Sequence, residues 1–382
     1  MGSALSPNSR IPYFDGRLSF AAEWATLSGE IERVFDLGKF SDSTVTRELE
    51  DAIAGYTGAR FAVAVDNCVD GIYIMLRAAG VGRDDEVIVP ALHGRDAVLA
   101  VARVGAVPVV VDVEPDSYTI AAEAARRAIT ERTRALLTAH SFCQPADLRS
   151  LQEISTESGL LLLEVAPEGI GMRFGGRHVG CSGAAGVLAF PPAGLLAALG
   201  QAAVIVTDDA ALAEEFVLLR HHGRSPDVPG RKAAVSGSAA CSGLNSKVDE
   251  IQAAVLRARL PRLAALVERR AALAAKFTSG LAGVAQVRTP TIVPRTEPTV
   301  AVWQRYVIEV DARDVVAAEL AGVGIETAAL TLSAPDGPAP DCPNAAAAAA
   351  RALALPFYPD LSDEQVEHIC REIARIVAER LT

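Results

Sequence analysis

The feature that most constrains this chain is a run of short, uniformly apolar segments separated by helical stretches between about residues 20 and 220. They are 61–65 (FAVAV), 87–89 (VIV), 107–111 (VPVVV), 135–138 (ALLT), 160–163 (LLLL) and 203–206 (AVIV). Strands read this way, without polar alternation, when both faces of the sheet are buried, as in a mostly parallel sheet covered by helices. Helical stretches at 45–56 and 120–130 give the alternation of an α/β fold. Residues 223–245 are rich in Gly, Ser, Pro and Ala and read as a loop. A long helix over 247–280 is expected to link a large domain, 1–250, to a smaller α+β domain, 251–382. The latter carries two or three strands and helices at 312–322 and 362–380, and an alanine tract at 345–350 reads as a helix start.

With 382 residues, half of them hydrophobic and 22% charged, the chain has enough apolar surface for such a core. Its formal charge of −11 argues against nucleic acid or an anionic membrane surface as partner. No apolar run is long enough for a membrane span, and residues 1–20 lack a signal-peptide pattern, so a cytoplasmic protein is expected. The six cysteines show no C-x-x-C spacing, which points to neither a disulfide framework nor a metal site.

From Gly180 the chain reads GCSGAAGVLAFPPAGLLAALGQAAVIVTDD. This resembles the pyridoxal-phosphate segment of the DegT/StrS sugar aminotransferases, roughly G-S-x-G-x-x-x-x-F-S-F-x-P-x-K-x-L. Segments 38–58, 82–91, 105–120, 218–224, 243–263 and 353–367 are similar to other parts of that family. The resemblance implies an aspartate-aminotransferase-like fold (fold type I). It also implies a dimer whose active site lies at the subunit interface.

Laid on without gaps, the family's Schiff-base lysine falls on Gly194 and its phosphate-binding serine on Ala189. The N-G-T turn reads Asn67, Cys68, Val69. The stacking aromatic ring becomes Gly94, and the aspartate that pairs with the pyridinium nitrogen becomes Val165. Glycine cannot form an imine. The reading that follows is an enzyme without a cofactor, repurposed within antibiotic-type biosynthesis. It would perform acid–base or nucleophilic work on a carbonyl-bearing sugar, cyclitol or polyketide-like intermediate.

His93, His140, Cys68 and Glu168 are the catalytic candidates, and Asn67, Asp96, Gln144 and Asn245 the substrate-binding ones. A cysteine at a helix N-terminus beside imidazoles is expected to favour its thiolate. His93, at the end of a strand, is the leading proton carrier. No cofactor or metal is expected. Residues Gly324-Ile325-Glu326-Thr327 lack the histidines and tyrosine that follow in active relatives, which speaks against a nucleotide-sugar substrate. Two alternatives stand beside this reading. One is a non-catalytic protein that pairs with an active paralogue rather than with itself. The other, placed last, is a pyridoxal- or pyridoxamine-phosphate-dependent sugar aminotransferase or dehydratase.

Overall fold

A computed structural model describes residues 10–41, 44–92, 94–223, 243–330, 332–333 and 342–380. In its first half the chain runs α1 (Arg17–Leu37), α2 (Thr44–Thr57), β1 (Phe61–Val65), α3 (Cys68–Ala78), β2 (Glu86–Pro90), α4 (Arg95–Arg103) and β3 (Val107–Val111). It continues through α5 (Ala122–Arg127), β4 (Thr133–Ala139), α6 (Leu148–Ser158), β5 (Leu161–Ala166), a small hairpin β6 (Arg173–Phe174) and β7 (Arg177–His178), β8 (Ala185–Ala189), β9 (Ala203–Thr207) and α7 (Ala210–Arg220).

Seven strands form one sheet in the order β1-β9-β8-β5-β4-β2-β3. Only β9 runs against the rest, pairing antiparallel with β1 and β8. The apolar runs seen in the sequence fall on these strands. Both faces are covered: Val63, Val65 and Val187 pack under α3 and α4, and Ala64, Leu136 and Leu188 pack against α2 and α8 on the other side. Several helices begin where a side chain satisfies a free N–H group. Asn67 caps α3, Asp147 caps α6 and Asp209 caps α7. Gly159, in the left-handed region, ends α6.

The expected single long helix is broken. α8 (Glu250–Arg259) and α9 (Leu263–Leu281) are separated by a 3-10 turn over Leu260–Arg262. Pro261 has no N–H to give and its ring crowds the preceding turn, which is the physical reason for the break. The second half then runs β10 (Val287–Arg288), β11 (Thr299–Val300), β12 (Val307–Val310), α10 (Arg313–Gly322), β13 (Ala328–Ala329), α11 (Pro343–Arg351), β14 (Ala352–Ala354) and α12 (Asp363–Arg380). A four-stranded sheet, β10-β12-β14-β13, shares a core with α9, α10 and α12 around Phe277, Tyr306, Leu320 and Ile373. The alanine tract is the body of α11, not its start, because Pro343 occupies the first turn. The helix expected at 120–130 is shorter, Ala122–Arg127.

The ends of the expected 223–245 loop are pinned together by His222 N–H donating to the Leu244 carbonyl at 2.9 Å. Its middle lies outside the described residues. Among the described residues no helix is long and apolar enough to cross a membrane.

Candidate functional site

The carboxyl ends of the parallel strands open onto a cavity of about 340 Å³, where ligand sites of open α/β sheets form. Cys68 and Asp96 enter it from the first turns of α3 and α4, Glu168 from just after β5, and Arg305 from just before β12. Arg95, Gln201 and Ser333 complete the polar lining. The local chain is tightly fixed. A Cβ on Gly94 would stand 2.4 Å from the Pro90 carbonyl oxygen, so no side chain fits there, and Gly94 N–H donates to Ser333 Oγ at 2.6 Å.

Cys68 is buried and bonded to the Asp96 carboxyl. Burial, and then the neighbouring Asp96 charge, push its thiol far up. The expected thiolate is therefore corrected: desolvation and an adjacent carboxylate outweigh the helix N-terminus. Burial likewise raises the Asp96 carboxyl, against the lowering effect of Cys68 and Arg95. Glu168 accepts the Phe142 N–H at 2.9 Å and pairs with Arg305 at 2.5 Å. Cys143 is buried, and its thiol is pushed up to about 12 by burial and by Glu168.

Of the eight residues singled out from the sequence, Cys68, Asp96 and Glu168 line this cavity together. His93 lies outside the described residues. His140 is not part of the lining. It is fully buried, its Nδ1 accepts the Ala146 N–H at 3.2 Å, and its Nε2 therefore donates to Glu164 at 2.9 Å. Glu164 also accepts N–H groups from Gly180, Ser182 and Gly183. Burial alone would raise this carboxyl, but His140 and the backbone donors outweigh it and hold it low.

Asn67 spends its side chain on the α3 cap, accepting from Asp70 N–H at 2.9 Å. Gln144 holds the segment around Thr291 and Val293 through both ends of its amide, at 3.0 and 2.9 Å. Asn245 is exposed and pairs through its backbone with His221. In all three the side chain or backbone serves local structure, a competing role that residue identity alone does not separate from ligand binding.

Arg305 was not among the sequence candidates. Its one signal is a charge set inside the aromatic run Trp303-Gln304-Arg305-Tyr306, ahead of a strand. It also lines a second, inner chamber of about 210 Å³ with Tyr13, Phe14, Gly194, Gln304 and Phe357.

The DegT/DnrJ/EryC1/StrS aminotransferase family profile matches residues 24–374. The chain is 34% identical to the dTDP-3-amino-3,4,6-trideoxy-alpha-D-glucose transaminase of Streptomyces venezuelae, over 99% of both chains. It is 32% identical to the erythromycin biosynthesis sensory transduction protein EryC1 of Saccharopolyspora erythraea, over 94% of this chain and 97% of that one. Among solved structures, S. venezuelae DesV in complex with a ketimine intermediate superposes with a TM-score of 0.88 at 33% identity, covering 98% of this chain and 100% of that one. NtdA of Bacillus subtilis with bound pyridoxamine phosphate superposes at 0.87, with 25% identity and coverage of 97% and 86%. The fold is thus the aspartate-aminotransferase fold type I, as expected.

These relatives overturn the expectation of a repurposed, cofactor-independent enzyme. Proteins matching end to end are named as sugar transaminases, so the reading placed last takes precedence. The reading against a nucleotide-sugar substrate is not carried forward either, since dTDP-sugar transaminase is the name of one of them. With a profile match across nearly the whole chain and full-length relatives above 30% identity, the chain belongs to the DegT/DnrJ/EryC1/StrS aminotransferase family.

Proposed function

We propose that this protein belongs with the sugar aminotransferases in function as well as descent, and that its outer crevice takes a nucleotide-linked amino or keto sugar. The observation that carries this is the 34% identity to a dTDP-amino-sugar transaminase over 99% of both chains. The crevice chemistry agrees with it. Arg95, exposed at the mouth, suits a diphosphate. Asp96 and Glu168 offer carboxyl oxygens to sugar hydroxyls, and Ser333 and Cys68 offer a hydroxyl and a thiol. Cys68, Asp96 and Glu168 are the residues we assign to the reacting end of the sugar. The division near residue 250 is kept as part of this reading, supported by the separate core that α9, α10 and α12 share with the four-stranded sheet.

The family implies pyridoxal phosphate, which supplies an electron sink for exchanging amine and ketone. The residues here do not fit its usual covalent hold. No lysine lines the crevice or the inner chamber among the described residues. At Gly194, where the resemblance in sequence sets the family's lysine, even a Cβ would stand 3.0 Å from the Pro191 carbonyl oxygen. Lys247 is half-buried outside the lining, Lys39 is exposed, Lys276 pairs with Asp363, and Lys232 lies outside the described residues.

A homodimer is part of the same reading. α1 and its flanks present Leu18 at 68%, Phe35 at 59% and Trp24 at 52% exposure, an apolar face that a second copy would cover. The experiment is calorimetric titration of the purified protein with dTDP-3-amino-3,4,6-trideoxy-α-D-glucose. A second arm assays amine exchange with added pyridoxal phosphate and an amine donor. Binding that Asp96→Ala weakens about tenfold or more supports the reading. Absence of binding by both the amino sugar and its keto form rejects it.

A further inference from the structure

The inner chamber beside Arg305 carries groups that the nucleotide-sugar reading does not use. Its volume of about 210 Å³ exceeds the ~150 Å³ in which a cavity holds benzene, so it has room for one substituted six-membered ring. Its walls are mostly apolar: Phe14 and Phe357 supply rings, and Ala193, Ala328 and Leu355 supply aliphatic surface.

The ionic groups in this space answer each other. Glu168 pairs with Arg305 at 2.5 Å and also accepts the Phe142 N–H. Neither charge is left over, so an ion entering the chamber would shed hydration without gaining a counter-charge.

The groups that remain are donors. Gln304, 7% exposed, accepts the Leu195 N–H through Oε1 at 2.9 Å, and this fixes which end of its amide is the NH2. Its Nε2 has no partner among the described residues and is left for an occupant of the chamber. Tyr13 is the second donor. An arginine has no acceptor, so Arg305 donates to the Tyr13 oxygen and the phenol keeps its own O–H to give. Burial raises Tyr13, so that proton stays in place at neutral pH. The acceptors nearby, Gln304 Oε1 and the Glu168 carboxylate, are already engaged.

Two donors, apolar walls and a cancelled charge are the complement of a neutral ring that carries an acceptor oxygen. A sugar ring does not match them, because hydroxyl groups set against Phe14, Leu355 and Phe357 would lose water without finding partners. We propose that the inner chamber binds an uncharged aromatic or alicyclic carbonyl compound, its ring against the apolar walls and its carbonyl oxygen accepting from Gln304 Nε2 and the Tyr13 hydroxyl. The site is argued independently of the nucleotide-sugar reading, and its test uses no nucleotide.

The test is calorimetric titration of the whole protein with four probes of similar shape: acetophenone, toluene, benzoate and benzylamine. Acetophenone saturates one site. Toluene, which lacks the acceptor, binds about 3- to 10-fold more weakly. The two ions bind at least about tenfold more weakly than acetophenone. Tyr13→Phe removes one donor and brings acetophenone toward toluene, with toluene itself unchanged, a pattern that a misfolded variant cannot give. Gln304→Glu keeps an acceptor for the Leu195 N–H but gives up the donor, and weakens acetophenone by about 3- to 10-fold. Ala193→Phe, at an exposed position of the lining, displaces both neutral probes. No saturable binding of acetophenone, an ion or toluene binding as well as acetophenone, or acetophenone binding indifferent to Tyr13→Phe or to Ala193→Phe would each overturn the proposal.

Discussion

Cys68 and His140 are both reactive side-chain types on loops or turns near the sheet's carboxyl edge, and their surroundings give them opposite meanings. Cys68 faces the crevice, yet burial and the Asp96 carboxylate keep it a thiol. It should resist iodoacetamide at neutral pH, and Asp96→Asn, by removing the charge that raises it, should speed alkylation. Mass spectrometry of the Cys68 peptide over time reads this; equal rates in the two proteins would remove Asp96 from the account.

His140 belongs to the framework beneath. Its imidazole is one of four donors to a fully buried carboxylate, so His140→Ala should cost about 2–4 kcal/mol in denaturant unfolding. The Glu164 carboxyl is held below its ordinary 4.5, so its contribution is present above that value and is lost as pH falls through the folded-state value. Without His140 the folded value rises, and the acid unfolding midpoint should move to higher pH. An unchanged midpoint would mean the three backbone donors suffice.

At the scale of elements, the apolar runs were a good guide to the strands and a poor one where a single residue redirected the chain. β1 and β3 occupy the residue ranges read from their apolar runs although they are the sheet's edge strands and only partly buried, because their valine-rich runs of five favour extended backbone. The continuous helix over 247–280 failed at Pro261, a breaker visible in the sequence but outweighed by the long run of helix formers around it. The crevice was half legible. Cys68, Asp96 and Glu168 follow from strand ends and helix starts, which the pattern locates. Asn67, Gln144 and His140 looked the same in sequence, but their hydrogen bonds are spent on a cap, a loop and a buried carboxylate. Arg305, signalled only by a charge inside an aromatic run, was missed because what distinguishes it is its placement across the fold, brought to the crevice from the approach to β12.

At the scale of the whole molecule, α1 is the least satisfied surface. Its buried side contributes Leu27 and Val34 to the fold, while Trp24 and Phe35, flanking that side, stay more than half exposed. Trp24→Glu should shift a homodimer toward monomer at micromolar concentration by light scattering, with little effect on the unfolding of the monomer itself. A wild-type protein that is monomeric there would remove this face from the account.

The protein's kinship and its crevice meet in one claim: the outer cavity is a nucleotide-sugar site of the sugar aminotransferase kind. Titration calorimetry with dTDP-3-amino-3,4,6-trideoxy-α-D-glucose tests it most directly, comparing the wild-type protein with Asp96→Ala and Arg95→Ala. The account predicts saturable one-site binding that both variants weaken about tenfold or more. No heat of binding for either the amino sugar or its keto counterpart, or binding indifferent to both substitutions, would contradict it.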